Sequence, residues 1–564
     1  MRLVGAYCAS IMMQSMLHYV SSVCVHYEDV FSKINKTYVG IHCTYTDCTV
    51  CTYCRCKPTM QLYELSLFSV LALLIFAVIV SIVVAKLCLT KRNTSIPLVR
   101  GGMPFFGQMF IMLRGSPWDT MAQWVGEYGK IFRIHLFGSD AVVVADPALL
   151  KIILATKLSI FKKDTDWTYK PFMVLLGNGL VTSEGSSWRT QRTLLANHLK
   201  INILEYIPSM ALQAVQRLSI KLDKVKADGS TIEMAEEFRH LTLQVIAETI
   251  CSLSPEESDQ TFAHMYLPIV EEGNLRTWNP ERMFIPTPSW FKFHQDVKRL
   301  NDYVTALITS RWLLRVKEAS LAAAGIPSDR RQDVLDKSLG AITAEEWTPE
   351  TIAQIRDEMK TFILAGHETS ASMLTWTLYE LSKGTKDSNE ALHKLIAEAK
   401  EVFTDCVDSA SGRVSRLPAR AAIDKLVFAE CCLRESLRKY SVVPTVVRVS
   451  TQDIDLSNDY KVCKGSTLML CMQGVHHNPE YWPEPFEYRP ERFLQDLQPY
   501  TFLPFIEGPR MCLGQYLSLL ESKVVLSLLL LEYEFRLVNP ENAGLKHPFM
   551  VPIIPKNGHH MKIL

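Results

Sequence analysis

The segment Phe505-Ile506-Glu507-Gly508-Pro509-Arg510-Met511-Cys512-Leu513-Gly514 places one cysteine between glycines, just ahead of an apolar helical pattern from Tyr516 to Leu531. A thiol in that setting is disposed to ionise. Amides at a helix start stabilise negative charge on sulfur, and Gly508 and Gly514 let a flat backbone approach something planar. A thiolate there can act as a metal ligand, but a buried, inert cysteine before a core helix fits the spacing equally well. A second stretch, Ala365-Gly366-His367-Glu368-Thr369-Ser370, lies inside an apolar helical pattern from Met359 to Leu381. Glycine in a helix interior costs roughly 1 kcal/mol relative to alanine. Thr369, four residues beyond Ala365, can bond back to a carbonyl and open the ladder, making room for water beside a carboxyl and a hydroxyl. A core helix with one polar turn explains the same residues. Glu435 and Arg438 stand three apart on one helix face, and Trp188 and Arg192 stand four apart in WRTQR, so the latter two can address one ligand.

Long elements must hold these groups. Helical patterns dominate from Trp118 to Tyr440, with a short strand-like pair near Ile131 to Val144. Strand-like, proline-rich segments follow from Val442 to Pro504, then a last helix from about Leu513 to Leu531. The predicted class is mainly α with small β-sheets. Lys and Arg total 60 against 59 Asp and Glu, a balance without the electrostatic footprint of a nucleic-acid binder. A hydrophobic content of 48% excludes a disordered chain.

Upstream, Leu65 to Ala85 reads LSLFSVLALLIFAVIVSIVVA, without charge or proline. At about 1.5 Å per residue it spans roughly 30 Å of hydrocarbon, and a single transmembrane helix is expected there. Lys86, Lys91, Arg92 and Arg100 follow it and Arg55 and Lys57 precede it, which places the large C-terminal part in the cytosol. Residues 1–64 then form a lumenal tail. Seven of the fifteen cysteines lie in it, and disulfides are expected rather than zinc. Asn35-Lys36-Thr37 is a sequon on that side, while Asn93-Thr94-Ser95 falls on the cytosolic side and goes unused. Leu3 to Leu17 is mildly apolar after Arg2, as in a signal sequence, but lacks a clean apolar centre, so both a signal sequence and a retained tail stay open. Residues 86–107, with Pro97, Gly101, Gly102, Pro104 and Gly107, are expected as a linker and hinge, and residues 108–564 as the catalytic domain.

Phe505, Gly508, Arg510, Cys512 and Gly514 resemble the haem-binding signature of the cytochrome P-450 family, with every fixed position filled. The resemblance runs from about Pro97 to Leu564. It implies the cytochrome P-450 fold and haem b (iron protoporphyrin IX), with Cys512 as the proximal iron ligand whose electron donation favours O–O cleavage. Arg510 would pair with a propionate, Phe505 would pack beside the thiolate, and amides after Cys512 would tune the sulfur. Ala365 to Ser370 resembles the oxygen-binding groove. Ala365 and Gly366 would line the cofactor side, Thr369 would donate to iron-bound oxygen, and Glu368 would relay solvent protons. His367 stands at a variable position and takes no role. Trp188, Arg192 and Arg448 resemble further propionate contacts. Glu435 and Arg438, with Arg492 from Pro490-Glu491-Arg492-Phe493, resemble a buried triad that supports the cysteine loop. Tyr440-Ser441-Val442-Val443-Pro444 lacks the doubled proline common in the family, which implies an unusual pocket shape.

The implied activity is monooxygenation: one atom of dioxygen enters an apolar organic substrate of the lipid, fatty-acid or terpenoid class. Electrons would come from an NADPH-dependent flavoprotein reductase, with cytochrome b5 as a further donor, at the endoplasmic reticulum membrane. Lys200 and Arg189 would belong to the docking face for that donor. Trp278, Phe284, Ile285, Trp290 and Phe291 would form a lipid-facing entrance, unless they are core. A member that rearranges peroxides without a reductase is an alternative, but such members often lose the groove threonine and acid. A non-catalytic haem sensor is a second alternative.

Overall fold

A computed structural model of the chain describes residues 93–564, except residues 94, 104, 200, 326–329 and 549. The expected tail, its sequon at Asn35, the segment Leu65–Ala85 and Lys200 lie outside the described residues. All described residues belong to the unit Val80–Leu564.

Ten helices form the bulk: α1 (Pro117–Tyr128), α2 (Gly185–His198), α3 (Ile207–Asp228), α4 (Met234–Cys251), α5 (Ala263–Trp278), α6 (Pro288–Ala323), α7 (Pro349–Leu381), α8 (Lys386–Phe403), α9 (Val427–Tyr440) and α10 (Gln515–Glu532). A five-stranded sheet flanks them, built from β1 (Ile131–Leu136), β2 (Ser139–Val144), β3 (Phe161–Lys162), β4 (Thr445–Ser450) and β5 (Thr467–Cys471). Its order is β1-β2-β5-β4-β3; the β2–β5 pair is parallel, with Val142 opposite Leu468, and the rest are antiparallel. The mainly helical class with small sheets is the one the periodicities predict.

α7 starts ten residues before the apolar pattern does. The Thr348 hydroxyl accepts from Thr351 N–H, Pro349 occupies the first turn, and Glu350 meets the positive end of the helix. Its first turns are only partly buried, so apolar periodicity misses them; from Ser370 to Leu381 every residue is buried. α10 is buried on all sides from Leu517 to Leu530, between α3, α7, α8 and α9. The start of α10, and with it the cysteine loop, is thereby fixed.

The hinge expectation needs correction over its described part. Pro97 O accepts from Arg133 N–H at 2.7 Å, Arg133 O accepts from Val99 N–H at 3.0 Å, and Ile96 and Val99 are buried, so this stretch packs along β1 as part of the domain. Backbone pairing outweighs the helix-breaking composition. Asn93 is also buried, donating to Ser466 Oγ at 3.0 Å and accepting from Cys463 N–H at 2.8 Å, which puts it beyond the reach of a glycosyl transferase. Among the described residues no helix is long and apolar enough to cross a membrane.

Candidate active site

Cys512 is held by its own loop. Its N–H donates to Phe505 O at 2.9 Å, and Met511 N–H donates to Gly508 O at 3.0 Å. Of the seven described cysteines it alone is exposed. The protein walls around the sulfur nonetheless raise the thiol's pKa by burial, while the amides of Gly514 and Gln515 and the charge of Arg192 pull it back. Those amides at the start of α10 are the stabilising donors the loop sequence implies. The two glycines serve different ends from the flat approach expected of both. Gly508 has φ +85° and a Cβ there would lie 2.6 Å from Leu154 O, so packing against the protein demands it. A Cβ on Gly514 would meet only Cys512 Sγ, at 4.0 Å.

Beside the loop is a cationic cluster. Arg510 lies over the Trp188 ring, 4.1 Å from its centroid, donates to Ser183 O at 3.3 Å and pairs with Glu184. Lys163 donates to Val181 O, and Glu184 accepts its backbone N–H at 3.0 Å. Burial, with Arg510 and then Arg448 close by, holds the Lys163 ammonium well below its usual range. Arg448, on β4, is buried, donates Nη1 to Val447 O at 2.8 Å and leaves Nε without a partner among the described residues. Of these three cationic side chains only Arg510 pairs with a carboxylate, Glu184, while Lys163 and Arg448 donate to backbone oxygens. A buried, unpaired guanidinium nitrogen costs about 1–3 kcal/mol or more, and an anionic ligand would relieve that cost.

The groove turn lies on α7. Thr369 Oγ1 donates to Ala365 O at 2.6 Å, yet the helix runs unbroken through this turn. The expected opening of the ladder is therefore not seen: a carbonyl has two lone pairs, and the hydroxyl bond adds to the helical bond instead of replacing it. Ala365 is exposed and Thr369 half-buried, whereas His367, Glu368 and Ser370 are buried. α4 covers the buried side. Its residues Arg239, Thr242 and Ile246, spaced as one helical stripe, meet Glu368, His367 and Gly366 in turn. Arg239 Nη2 donates to Glu368 Oε1 at 2.8 Å, Thr242 Oγ1 donates to His367 O at 3.0 Å, and a Cβ on Gly366 would lie 2.7 Å from Ile246. Gly366 is thus a packing notch for α4. A cleft of about 290 Å³, lined by Glu236, Arg239, Glu368, Asn557 and His560 among others, opens beside the Glu368 carboxylate.

The sequence profile of the family described as Cytochrome P450 matches residues 97–560. The chain belongs to the cytochrome P450 family. Cytochrome P450 4c21 of Blattella germanica is 29% identical over 455 residues, covering 78% of this chain and 87% of that protein. Human cytochrome P450 4F8 is 29% identical over 407 residues, 69% of this chain and 74% of its own. The chloroplastic carotene epsilon-monooxygenase of Arabidopsis thaliana is 27% identical over 468 residues, 80% of this chain and 83% of its own. Membership makes this chain a haem-thiolate monooxygenase with haem b as cofactor. The residues present fit that group. Cys512 offers an exposed sulfur at the start of α10, and the buried Arg448 Nε, without a partner among the described residues, beside Arg510 and Lys163 suits the carboxylates of such a group.

In this cytochrome P450 the Glu435 carboxylate and Arg438 guanidinium are both fully buried and bonded in two places, Nε to Oε2 at 2.7 Å and Nη2 to Oε1 at 2.8 Å. Arg492, in a short 3-10 turn, donates Nε to Glu435 Oε1 at 3.3 Å, and Arg438 Nη1 donates to His476 O at 2.9 Å. His476 Nε2 accepts from Leu503 N–H at 2.8 Å, which links the triad to the irregular segment entering the cysteine loop. The structure brings Trp188 beneath Arg510 and sets the charge of Arg192 toward Cys512. Arg189 is exposed, as are Phe284, Ile285 and Phe291, whereas Trp278 and Trp290 are partly buried. Lys163, Glu184 and Arg239 escape sequence reasoning: Lys163 and Arg239 sit in charged stretches that read as surface, FKKDTD and EEFRH, and Glu184 is a lone acid among serines and a glycine.

Next to Arg239, His240 lies 3.5 Å from Asp259 and 3.5 Å from Glu236, which lift its pKa to about 9. The folded state therefore holds a proton that the unfolded chain releases near 6.5. This stabilisation is complete below about pH 6.5 and fades as the pH rises through about 9. His240→Gln is expected to melt earlier than the unaltered protein at pH 6 and at the same temperature at pH 10, by circular dichroism. Parallel melting curves at both pH values would refute the assignment.

Proposed function

We propose that this cytochrome P450 uses two electrons from an NADPH-dependent flavoprotein reductase to insert one oxygen atom into an apolar lipid, with fatty acids and carotenoid-like terpenoids as the substrate class. The observation that carries the reading is the division of labour around one turn of α7. Ala365 and Thr369 face the open side, while Glu368 reaches back into a cleft lined by polar and charged groups. Bound at Cys512, the haem supplies the activation of dioxygen. Arg510, Arg448, Lys163 and the Trp188/Arg192 face of α2 would hold its carboxylates and its edge. Glu368 collects protons at its carboxylate, with Arg239 fixing its orientation, and the Thr369 hydroxyl offers one at Oγ1 on the opposite side of the same turn. The name of one relative, a carotene epsilon-monooxygenase, supports the terpenoid part of the substrate class, and the motif neighbourhoods support both parts.

The apolar run Leu65–Ala85 would anchor the enzyme in the endoplasmic reticulum membrane, with residues 86–564 in the cytosol and residues 1–64 in the lumen. Exposed Phe284, Ile285 and Phe291 would then rest at the lipid surface where apolar substrates arrive, and cytochrome b5 would be a second electron donor.

Full-length protein in microsomes, supplied with reductase, NADPH and a panel of fatty acids and carotenes, is expected to give oxygenated products. Thr369→Ala is expected to keep NADPH consumption while product per NADPH falls about a hundredfold and hydrogen peroxide is released, the lower end of the effect of losing one positioned proton donor. Turnover from added peroxide alone, unchanged by reductase, would overturn the reading in favour of a peroxide-rearranging enzyme. Tight substrate-induced spectral change without either reaction would point to a sensor.

A further inference from the structure

The segment Gly177–Glu184 runs from the flank of α7 to the cationic cluster, and every part of it is tied down. On the α7 side, Asn178 N–H donates to Asp357 Oδ2 at 3.1 Å and Leu180 N–H donates to Glu358 Oε2 at 2.9 Å. Gln354 Nε2 bridges Glu358 Oε1 at 2.9 Å and Asn178 O at 3.1 Å. The approach is too close for side chains. A Cβ on Gly177 would lie 1.9 Å from Asp357 Oδ2, and one on Gly179 would lie 2.1 Å from Thr361 Oγ1. Within the segment, Thr182 Oγ1 donates to Gly177 O at 2.8 Å and to Gly179 O at 3.0 Å, which closes it into a compact strap. At its far end Val181 O accepts Lys163 Nζ, Ser183 O accepts both Arg510 Nη atoms at 3.3 Å, and the Glu184 carboxylate pairs with Arg510.

We propose that Asp357 and Glu358 are positioning residues for cofactor retention: through the strap Gly177–Glu184 they fix the acceptors that aim Lys163 and Arg510 at the haem carboxylates. The inference rests on the reading of Lys163, Arg448 and Arg510 as the carboxylate clamp. Neither acid touches the clamp directly. Each acts through a backbone whose two glycines let it lie against α7, and rigid acceptors cut the entropy lost when Lys163 and Arg510 engage an anion. About three turns downstream on the same helix stands Thr369, so one rigid element sets both the groove and, by way of the strap, the clamp.

Transfer of haem from the loaded, full-length protein to excess apomyoglobin, followed by absorbance, tests this without reference to turnover. Asp357→Ala/Glu358→Ala is expected to lose haem about tenfold faster, the scale of one or two lost hydrogen bonds to charged acceptors. Glu358→Gln, which keeps an oxygen for Leu180 N–H, is expected to stay near the unaltered rate. Leu395→Ala, a buried apolar truncation on α8, controls for general loss of stability. A double variant that releases haem no faster than the unaltered protein, or no faster than Leu395→Ala, overturns the proposal. If the double variant fails to fold, Glu358→Ala alone is judged by the same comparison. A strap variant with normal retention beside an Arg510→Ala variant that loses haem would sink the strap and leave the clamp standing. Normal retention in Arg510→Ala would sink the clamp itself.

Discussion

Cys512→Ser is expected to abolish both the red-shifted carbon monoxide band of thiolate-ligated ferrous haem and all reductase-driven turnover, while the fold survives. A serine hydroxyl in this loop stays protonated and donates far less electron density than sulfur. The backbone that holds the position would be untouched: the Cys512 N–H to Phe505 O bond and the start of α10 do not depend on the sulfur. Loss of the band with a retained far-ultraviolet circular dichroism spectrum is the expected pair of results. A variant that still gave the red-shifted band would refute Cys512 as the iron ligand.

Glu435→Ala is expected to be the most damaging substitution outside the cysteine loop, costing about 3–5 kcal/mol, because it leaves the guanidinium of Arg438 buried and uncompensated. The pair is fully buried, so solvent does not soften the loss. Arg438 would keep only carbonyl acceptors such as His476 O, and the link through His476 to Leu503 N–H would loosen ahead of the cysteine loop. Arg492→Ala is expected to cost less, since Glu435 would still hold Arg438 and Arg492 is partly exposed. Soluble yield and thermal melting read both. Equal melting of Glu435→Ala and Arg492→Ala would show that the carboxylate is not the centre of the triad.

Groups within one or two turns of each other were the legible ones. Cys512 and the amides of Gly514 and Gln515 are neighbours in the chain, so the local pattern already placed the thiol at a helix start. Glu435 and Arg438, three residues apart on a helix, met as the spacing requires. Where reasoning from local pattern went astray, a distant element intervened. Gly366 read as a weak point in the ladder, but Ile246 of α4 fills the space a side chain would take. Pro97 to Gly107 read as a hinge until β1 offered its backbone to Pro97 and Val99.

Composition, periodicity and motif order determined the mainly helical class, the family and the meeting of Glu435 with Arg438, since each depends on residue type, short-range spacing or the order of motifs. Only the tertiary structure decided that Arg239 holds Glu368, that Lys163 and Glu184 join Arg510 and Arg448, and that Asp357 and Glu358 clasp a glycine-rich strap. The reason is desolvation. Whether a charged residue is a solvated surface group or a costly buried one that must find a partner depends on what covers it, and the chain brings that cover from more than a hundred residues away.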